Sequence, residues 1–382
     1  MKKRVRIISL MMIILMCSSF LFAGGAQEEP AEEPVKEEVP MTHDELVAAA
    51  QAEGKVVVYA VTSRIANAAE GFKEKYGIEV EATNLKDFEM IEKVSKEGST
   101  GAQGADFVLA QDGGRVMGEL INLDYLYNYV PESMKDVIPE QFQNPLVFSF
   151  INKLFIFNNE LSTDNQFTNI WALTTEEWAG NFQFKNPFQE SVNANFMTMV
   201  TKPEIADQIA DAYKEYFGKE IVLTTENAGY EWIKAIFENN LILTTSDTKT
   251  AESIGIKGQN KEYNAGLFVY SKLRYVESKN LALQPIMDMT PFSGFMYPIY
   301  ALMRTDAANP NAAKLFIEYL LTDEGFSPWS KNMGTYSPNP AVAIQPNDHP
   351  VSTWEKILVI EDPTYCFENR ADVEEFLNEY IY

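Results

Sequence analysis

The segment that most restricts the fold is KVVVYAVTSRIANAAEGFKEKYG, residues 55–77. Val56, Val57, Val58 and Tyr59 form a β-branched and aromatic run of the kind found in a strand buried on both faces. Thr62 and Ser63 then offer helix-capping hydroxyls, and Ile65, Ala68, Ala69, Phe72 and Tyr76 recur at helical spacing until Gly77 ends the pattern. Ile78, Val80 and Ala82 return to strand alternation. This is a β-α-β unit, and its first turn lies at the carboxyl end of a strand and the amino end of a helix. Open α/β sheets bind ligands at that place, where free N–H groups favour an anion or a polar oxygen.

The same geometry recurs. Residues 105–110 read as a buried strand ending at Gln111-Asp112-Gly113-Gly114, with a helix carrying Val116, Met117, Leu120 and Ile121 behind it. Residues 241–243 read as a strand that breaks at Thr244-Thr245-Ser246-Asp247-Thr248, more hydroxyls than one cap requires, before a helix at 249–254. A strand at 266–270 ends in Ser271, Lys272 and Arg274. Further strands are expected at 153–158, 181–185, 283–289 and 296–303. Helices are expected at 87–96, 191–200, 202–217, 226–238, 309–321, 352–360 and 372–380, with a loop over 327–340. Thr42-His43-Asp44-Glu45 is a capping box that opens the first helix of the folded body.

Lys2, Lys3, Arg4 and Arg6 precede an apolar run and the small residues Ala23, Gly24 and Gly25, which is the pattern of an export signal over 1–23. Cys17 leaves a lipid anchor open as an alternative to soluble export. Residues 24–41, rich in Glu and Pro, read as a disordered acidic spacer. A net charge of −24 argues against partners that are nucleic acids or anionic membranes. Cys366 is the one cysteine left after the signal, so no intrachain disulfide is expected. With 382 residues the chain exceeds one ordinary core, which implies two domains.

VVVYAVTS, then GADFVLAQDGG, then TDAANPNAAKLFIEYLLTDEGF, in this order after an export signal, resemble extracellular solute-binding proteins of ABC importers. The nearest branch is the ferric-ion and anion-binding group of class II periplasmic binding proteins. The resemblance implies an α/β fold of two lobes joined by two crossover strands, with a ligand held in the cleft. Lobe one would comprise 42–152 and 283–327, and lobe two 153–282 and 328–382. KLFIFN and LALQPIMDM would be the crossovers. Ligand contacts implied by the resemblance are Thr62, Ser63 and Arg64 in the first turn and Gln111 and Asp112 after the second strand. In lobe two they are Ser191, Asn193, Thr245, Ser246, Asp247, Thr248 and Tyr270. Tyr297, in a proline-marked corner, is a further candidate or a core aromatic, and Lys272 and Arg274 either meet ligand or pair with surface carboxylates. Ferric-binding members carry two neighbouring tyrosines, whereas Tyr270 here is followed by Ser271.

The expected function is capture of a small polar solute, an anion such as a phosphorylated small molecule or ferric iron, by a monomer that passes it to a membrane permease. No catalytic residues and no cofactor are expected, and the metal question stays open. The alternatives are a secreted hydrolase using its many carboxylates and a surface adhesin.

Overall fold

The computed structural model describes residues 41–161 and 167–381. The expected export signal, the spacer apart from Met41, and Cys17 lie outside the described residues.

The main strands are β1 (Lys55–Ala60), β2 (Glu79–Asn84), β3 (Phe107–Ala110), β4 (Val147–Phe157), β5 (Phe182–Lys185), β6 (Ile242–Thr244), β7 (Ala265–Val269) and β8 (Gly294–Arg304). They lie side by side in the order β2-β1-β3-β8-β4-β7-β5-β6. The outer trios, β2-β1-β3 and β7-β5-β6, are each internally parallel. The two 11-residue strands β4 and β8 run antiparallel between them, with a break in register at Ile299/Tyr300. The fold is therefore two α/β lobes, one built on β1–β3 and the other on β5–β7, joined by two crossing strands.

The second crossing strand is β8, not the expected 283–289. In that segment only Gln284–Pro285 pairs, against Ile156 and Phe157. Pro285 has no N–H to extend a ladder. In β8 every residue is buried, so its apolar run shows no alternation to mark which face it covers.

The main helices are α1 (His43–Glu53), which precedes β1, and α2 (Ile65–Tyr76), α3 (Asp87–Thr100), α4 (Ser191–Val200), α5 (Pro203–Phe217), α6 (Ala228–Glu238), α7 (Asp247–Gly255), α8 (Pro310–Leu320), α9 (Asp323–Ser330) and α10 (Pro363–Ile381). The capping box of α1 is formed, with the Glu45 N–H donating to Thr42 Oγ1 and the Thr42 N–H donating to Glu45 Oε2 at 2.9 Å. Thr42→Ala should lower the unfolding free energy by about 1 kcal/mol, read from urea denaturation. An unchanged midpoint would show that α1 is held by its packing alone.

Three further segments differ from expectation. α9, capped by the Thr322 hydroxyl, occupies the start of the expected 327–340 loop. The expected helix at 352–360 is one turn, Val351–Trp354, followed by the short strand Val359–Ile360. α10 begins nine residues before the expected 372, opened by Pro363 at its first position. Its first turns lie on the segment 113–121, where a Cβ on Gly114 would come within 3.1 Å of the Phe367 backbone and one on Gly118 within 2.3 Å of the Phe367 ring. Glycine at these two positions is what lets α10 approach.

Three apolar clusters hold the layers. Phe72, Phe107, Phe148, Phe316 and Trp329 form the core under α1, α2, α8 and α9. Phe155, Phe157, Trp171, Phe196 and Trp232 form that under α4, α5 and α6. The opposite sheet face carries one cluster that runs through both lobes, from Tyr59 and Val108 through Phe150 and Leu154 to Phe268 and Trp354.

Candidate functional site

The carboxyl ends of β1, β2 and β3 face those of β5 and β6 across a cavity of about 700 Å³. Val61, Asn84, Asp87 and Gln111 line it from lobe one, and Lys185, Glu190 and Thr245 from lobe two. Phe88 and Phe188 contribute aromatic surface from opposite sides.

Beneath the cavity lies a buried charge network centred on Lys153, which sits in β4 and is completely buried. Its Nζ donates to Glu190 Oε2 at 2.7 Å and to Asn193 Oδ1 at 2.5 Å, and lies 3.4 Å from Asp247 Oδ1. Lys185 Nζ takes the other oxygen of Glu190 at 2.7 Å. Burial opposes the charge on Lys153, but Asp247 and Glu190 outweigh it and hold the ammonium above the ordinary lysine range. Burial likewise opposes the Glu190 charge, and the two lysines hold that carboxyl below its usual value.

A cationic group spans the lobes nearby. Arg64, in the turn after β1, is half-buried, and Arg274 follows β7. Burial depresses the Arg64 guanidinium, and the like charge of Arg274 depresses it further. Lys272 donates to Thr248 Oγ1 at 2.8 Å. Its ammonium is lowered by burial, with Tyr275 opposing and Arg274 adding to the effect. Burial would raise the Tyr275 phenol, yet Thr248 and the cations Lys272, Arg274 and Lys279 bring it below the usual range. Arg274 spends its donors on Ser271 O at 2.6 Å, Ser271 Oγ at 3.3 Å and the Tyr275 hydroxyl at 3.4 Å. Among the described residues no ion pair involves Arg64, Lys272 or Arg274. Arg274 thus disfavours the charge of both Arg64 and Lys272, while Asp247 favours that of Lys272.

The expected site residues divide into two groups. Gln111 and Thr245 line the cavity. Thr62 accepts the Arg64 N–H at 3.3 Å, and Ser63 is exposed beside it. Ser191 opens α4, and Ser246 caps α7 through the Lys249 N–H. Thr248 and Asp247 hold the lysines already described. The other group is buried away from the cavity wall. Asn193 is fully enclosed between Lys153 and the Lys185 carbonyl. Tyr297 is 3% exposed and stacks on Phe295 in the lobe-two core. Tyr270 is 5% exposed against Trp354, and burial, then the charge of Asp348, pushes its hydroxyl up to about 12.

Asp112 departs furthest from expectation. It is fully buried beneath α10, where Arg370 Nη1 binds both its oxygens at 2.9 and 3.0 Å and reaches Asn195 Oδ1 at 3.3 Å. The turn 111–114 therefore presents Gln111 to the cavity and turns Asp112 inward to α10. Beside it Glu361, also buried, accepts from Asn195 Nδ2 at 3.2 Å through Oε2, while Oε1 has no hydrogen bond. Burial, and then the charge of Asp112, push the Glu361 carboxyl up to about 8. A carboxyl whose folded value exceeds its unfolded one stabilises the protein below the unfolded value, and that stability is lost as pH rises toward the folded one. Unfolding free energy should therefore fall by about 1.4 kcal/mol per pH unit from this group between its ordinary value and about 8. Glu361→Gln should flatten that slope in urea titrations at pH 6 and 7, and an unchanged slope would show that Glu361 is ionised throughout.

Lys153, Glu190, Asp87, Arg370 and Glu361 are absent from the sequence-level site. Lys153 carried the one usable signal, a charge within the apolar run VFSFINKLFIF, where a buried cation requires a partner. Among the described residues no group of three or more His, Cys, Asp or Glu is arranged to hold a metal ion, and no helix is long and apolar enough to cross a membrane.

Residues 67–357 match the family model described as bacterial extracellular solute-binding protein. No curated protein matches the chain in sequence. Among solved structures, iron-bound HitA from Pseudomonas aeruginosa aligns with TM-score 0.67 at 14% identity, over 86% of this chain and 99% of that one. AfuA from Actinobacillus pleuropneumoniae, with fructose-6-phosphate bound, aligns with TM-score 0.63 at 18% identity, over 86% and 98%. Trichodesmium IdiA (FutA), in complex with iron and citrate, aligns with TM-score 0.61 at 15% identity, over 86% and 100%. These likenesses are of fold, and they extend over the whole length of each binding protein.

Proposed function

This chain belongs to the bacterial extracellular solute-binding proteins, and on that premise we propose that it captures a small anionic solute between its lobes and delivers it to the permease of an ABC importer. The observation that carries the anionic reading is the group Arg64, Lys272 and Arg274, cations drawn from both lobes and without an ion-pair partner among the described residues. An anion between them would relieve the repulsion of Arg64 and Arg274 and favour the closed arrangement. Thr62, Ser63 and Thr248 supply hydroxyls beside the same cations. The phosphorylated sugar bound by AfuA is a ligand of this chemical class. Ferric iron, present in the HitA and IdiA structures, would instead meet like charge at this place. The protein works as a monomeric binder that releases its solute unaltered. A hydrolase or adhesin reading finds no support in a family of binding proteins.

Isothermal titration calorimetry with fructose 6-phosphate, inorganic phosphate and ferric citrate separates the readings. Saturable binding of either phosphate compound, weakened by salt, is the expected result. Binding of ferric citrate without any response to iron-free citrate or to either phosphate compound would overturn the anionic reading.

A further inference from the structure

The last helix ties one lobe to the other. Cys366, Val373 and Leu377 of α10 are buried in the lobe-two core, and Phe376 packs on Tyr230 of α6 with ring centres 5.0 Å apart. Its first turns reach lobe one, where the glycines at 114 and 118 meet Phe367. Between these attachments Arg370 Nη1 holds both Asp112, which follows β3 in lobe one, and Asn195, which lies in α4 of lobe two. An ion pair and a hydrogen bond from one guanidinium thus cross the lobe boundary. The lobes also touch at the crevice, where Asp87 Oδ2 accepts the Ser191 N–H at 3.0 Å.

Glu361 makes this crossing conditional. Its N–H donates to the Met296 carbonyl of β8 at 3.0 Å, and Asn195 of α4 holds its Oε2. Oε1, without a hydrogen bond among the described residues, is turned to lobe one: a Cβ on Gly113, next to Asp112, would come within 2.9 Å of it. Two buried carboxyl groups therefore meet across the boundary, and the guanidinium between them is already taken. Arg370 binds both oxygens of Asp112 and also Glu374 Oε1 at 3.3 Å. Asp362, beside Glu361, is engaged by Lys202 at 2.9 Å. The Tyr297 and Tyr300 phenols and the Cys366 thiol also face Glu361, and burial raises all three and keeps them neutral. A second dry negative charge beside Asp112 would have no cation of its own, so a proton on Glu361 is what lets the two lobes meet here.

We propose that α10 is a proton-gated clasp: rooted in lobe two, it holds lobe one through Arg370 and Asp112 while Glu361 is neutral, and lets the lobes part when Glu361 ionises. Ionised Glu361 repels Asp112 and competes with it for Arg370. Both effects are relieved when lobe one withdraws and water enters. The crossing strands are irregular at the same level, since β8 loses register with β4 at Ile299/Tyr300 and the Tyr300 ring lies against Gly113. No solute takes part in the clasp, so it stands apart from the anionic reading.

Förster transfer in the ligand-free full chain tests this. Dyes coupled at Glu74→azidophenylalanine in α2 and Asp211→azidophenylalanine in α5, both exposed positions, read the interlobe distance without using either cysteine. With the native clasp the distance should be short at pH 6 and lengthen as pH rises, in a one-proton transition centred at about 8. Through that transition the ratio of parted to joined lobes should grow by up to about tenfold per pH unit. Glu361→Gln, neutral at every pH, should keep the short distance to pH 9. Arg370→Ala combined with Asp112→Asn, which removes both charges of the pair, should give the long distance already at pH 6. A distance that stays constant from pH 6 to 9 with the native clasp would overturn the proposal. The same pH response in Glu361→Gln would also overturn it, because another group would then be titrating. A folded double variant that keeps the short distance at pH 6 would show that Arg370 and Asp112 do not hold the lobes. Should that variant not fold, the titrations with Glu361 and with Gln at this position decide the matter between them.

Discussion

Lys153→Met should lower the unfolding free energy by about 3–5 kcal/mol, read from the urea midpoint and slope. The ammonium is completely buried, between Glu190, Asn193 and Asp247. A methionine fills similar volume but leaves Glu190 with Lys185 alone and Asp247 without its interior partner. The loss is therefore that of stranding buried carboxylates rather than the net worth of the ion pairs. Combining Lys153→Met with Glu190→Gln and Asp247→Asn should recover much of the stability, since all three charges leave together. A single variant within about 1 kcal/mol of wild type would show that solvent reaches this network and screens it.

Arg64→Ala should weaken binding of fructose 6-phosphate by about 10–100-fold in calorimetry, the range expected for hydrogen bonds to a charged group. The reasoning runs from sequence to field. Arg64 lies in the turn after β1, where burial and Arg274 both disfavour its charge. An anion reverses that balance, because it neutralises both arginines at once. Arg64→Lys should retain part of the affinity, since it keeps the charge but loses the planar fork that matches phosphate oxygens. Stability should change little in either variant, as no ion pair of Arg64 is broken among the described residues. Equal affinity in wild type and Arg64→Ala would remove the cationic group as the solute's seat.

Much of the fold was legible. The run 55–77 became β1 and α2, Thr42 and Glu45 closed their capping box, and the strand–turn–helix order of both lobes appeared where the apolar patterns placed it. The second crossing strand was misassigned because 283–289 and 296–303 are both apolar runs, and periodicity cannot rank two such runs by burial. α10 was read short because Arg370, bound to Asp112, interrupts its buried side between Cys366 and Val373, so its first turns show no continuous apolar stripe. Of the expected site residues, Gln111 and Thr245 line the cavity, and the Ser191 N–H holds the carboxylate of Asp87. Asp112 could not be separated from Gln111 beside it. Which of two adjacent polar residues in a turn faces a cavity depends on what covers the other, here Arg370, 258 positions away.

Strands, helices and their caps were decided by the sequence itself, because each depends on residues a few positions apart whose spacing is written in the chain. The tertiary structure alone decided which charges neutralise one another. Lys153 meets a carboxylate 94 positions away, and Asp87 meets a helix start 104 positions away. Electrostatic energy in a dry interior depends on distances of a few ångströms and on the loss of water, and neither quantity exists until the lobes have packed.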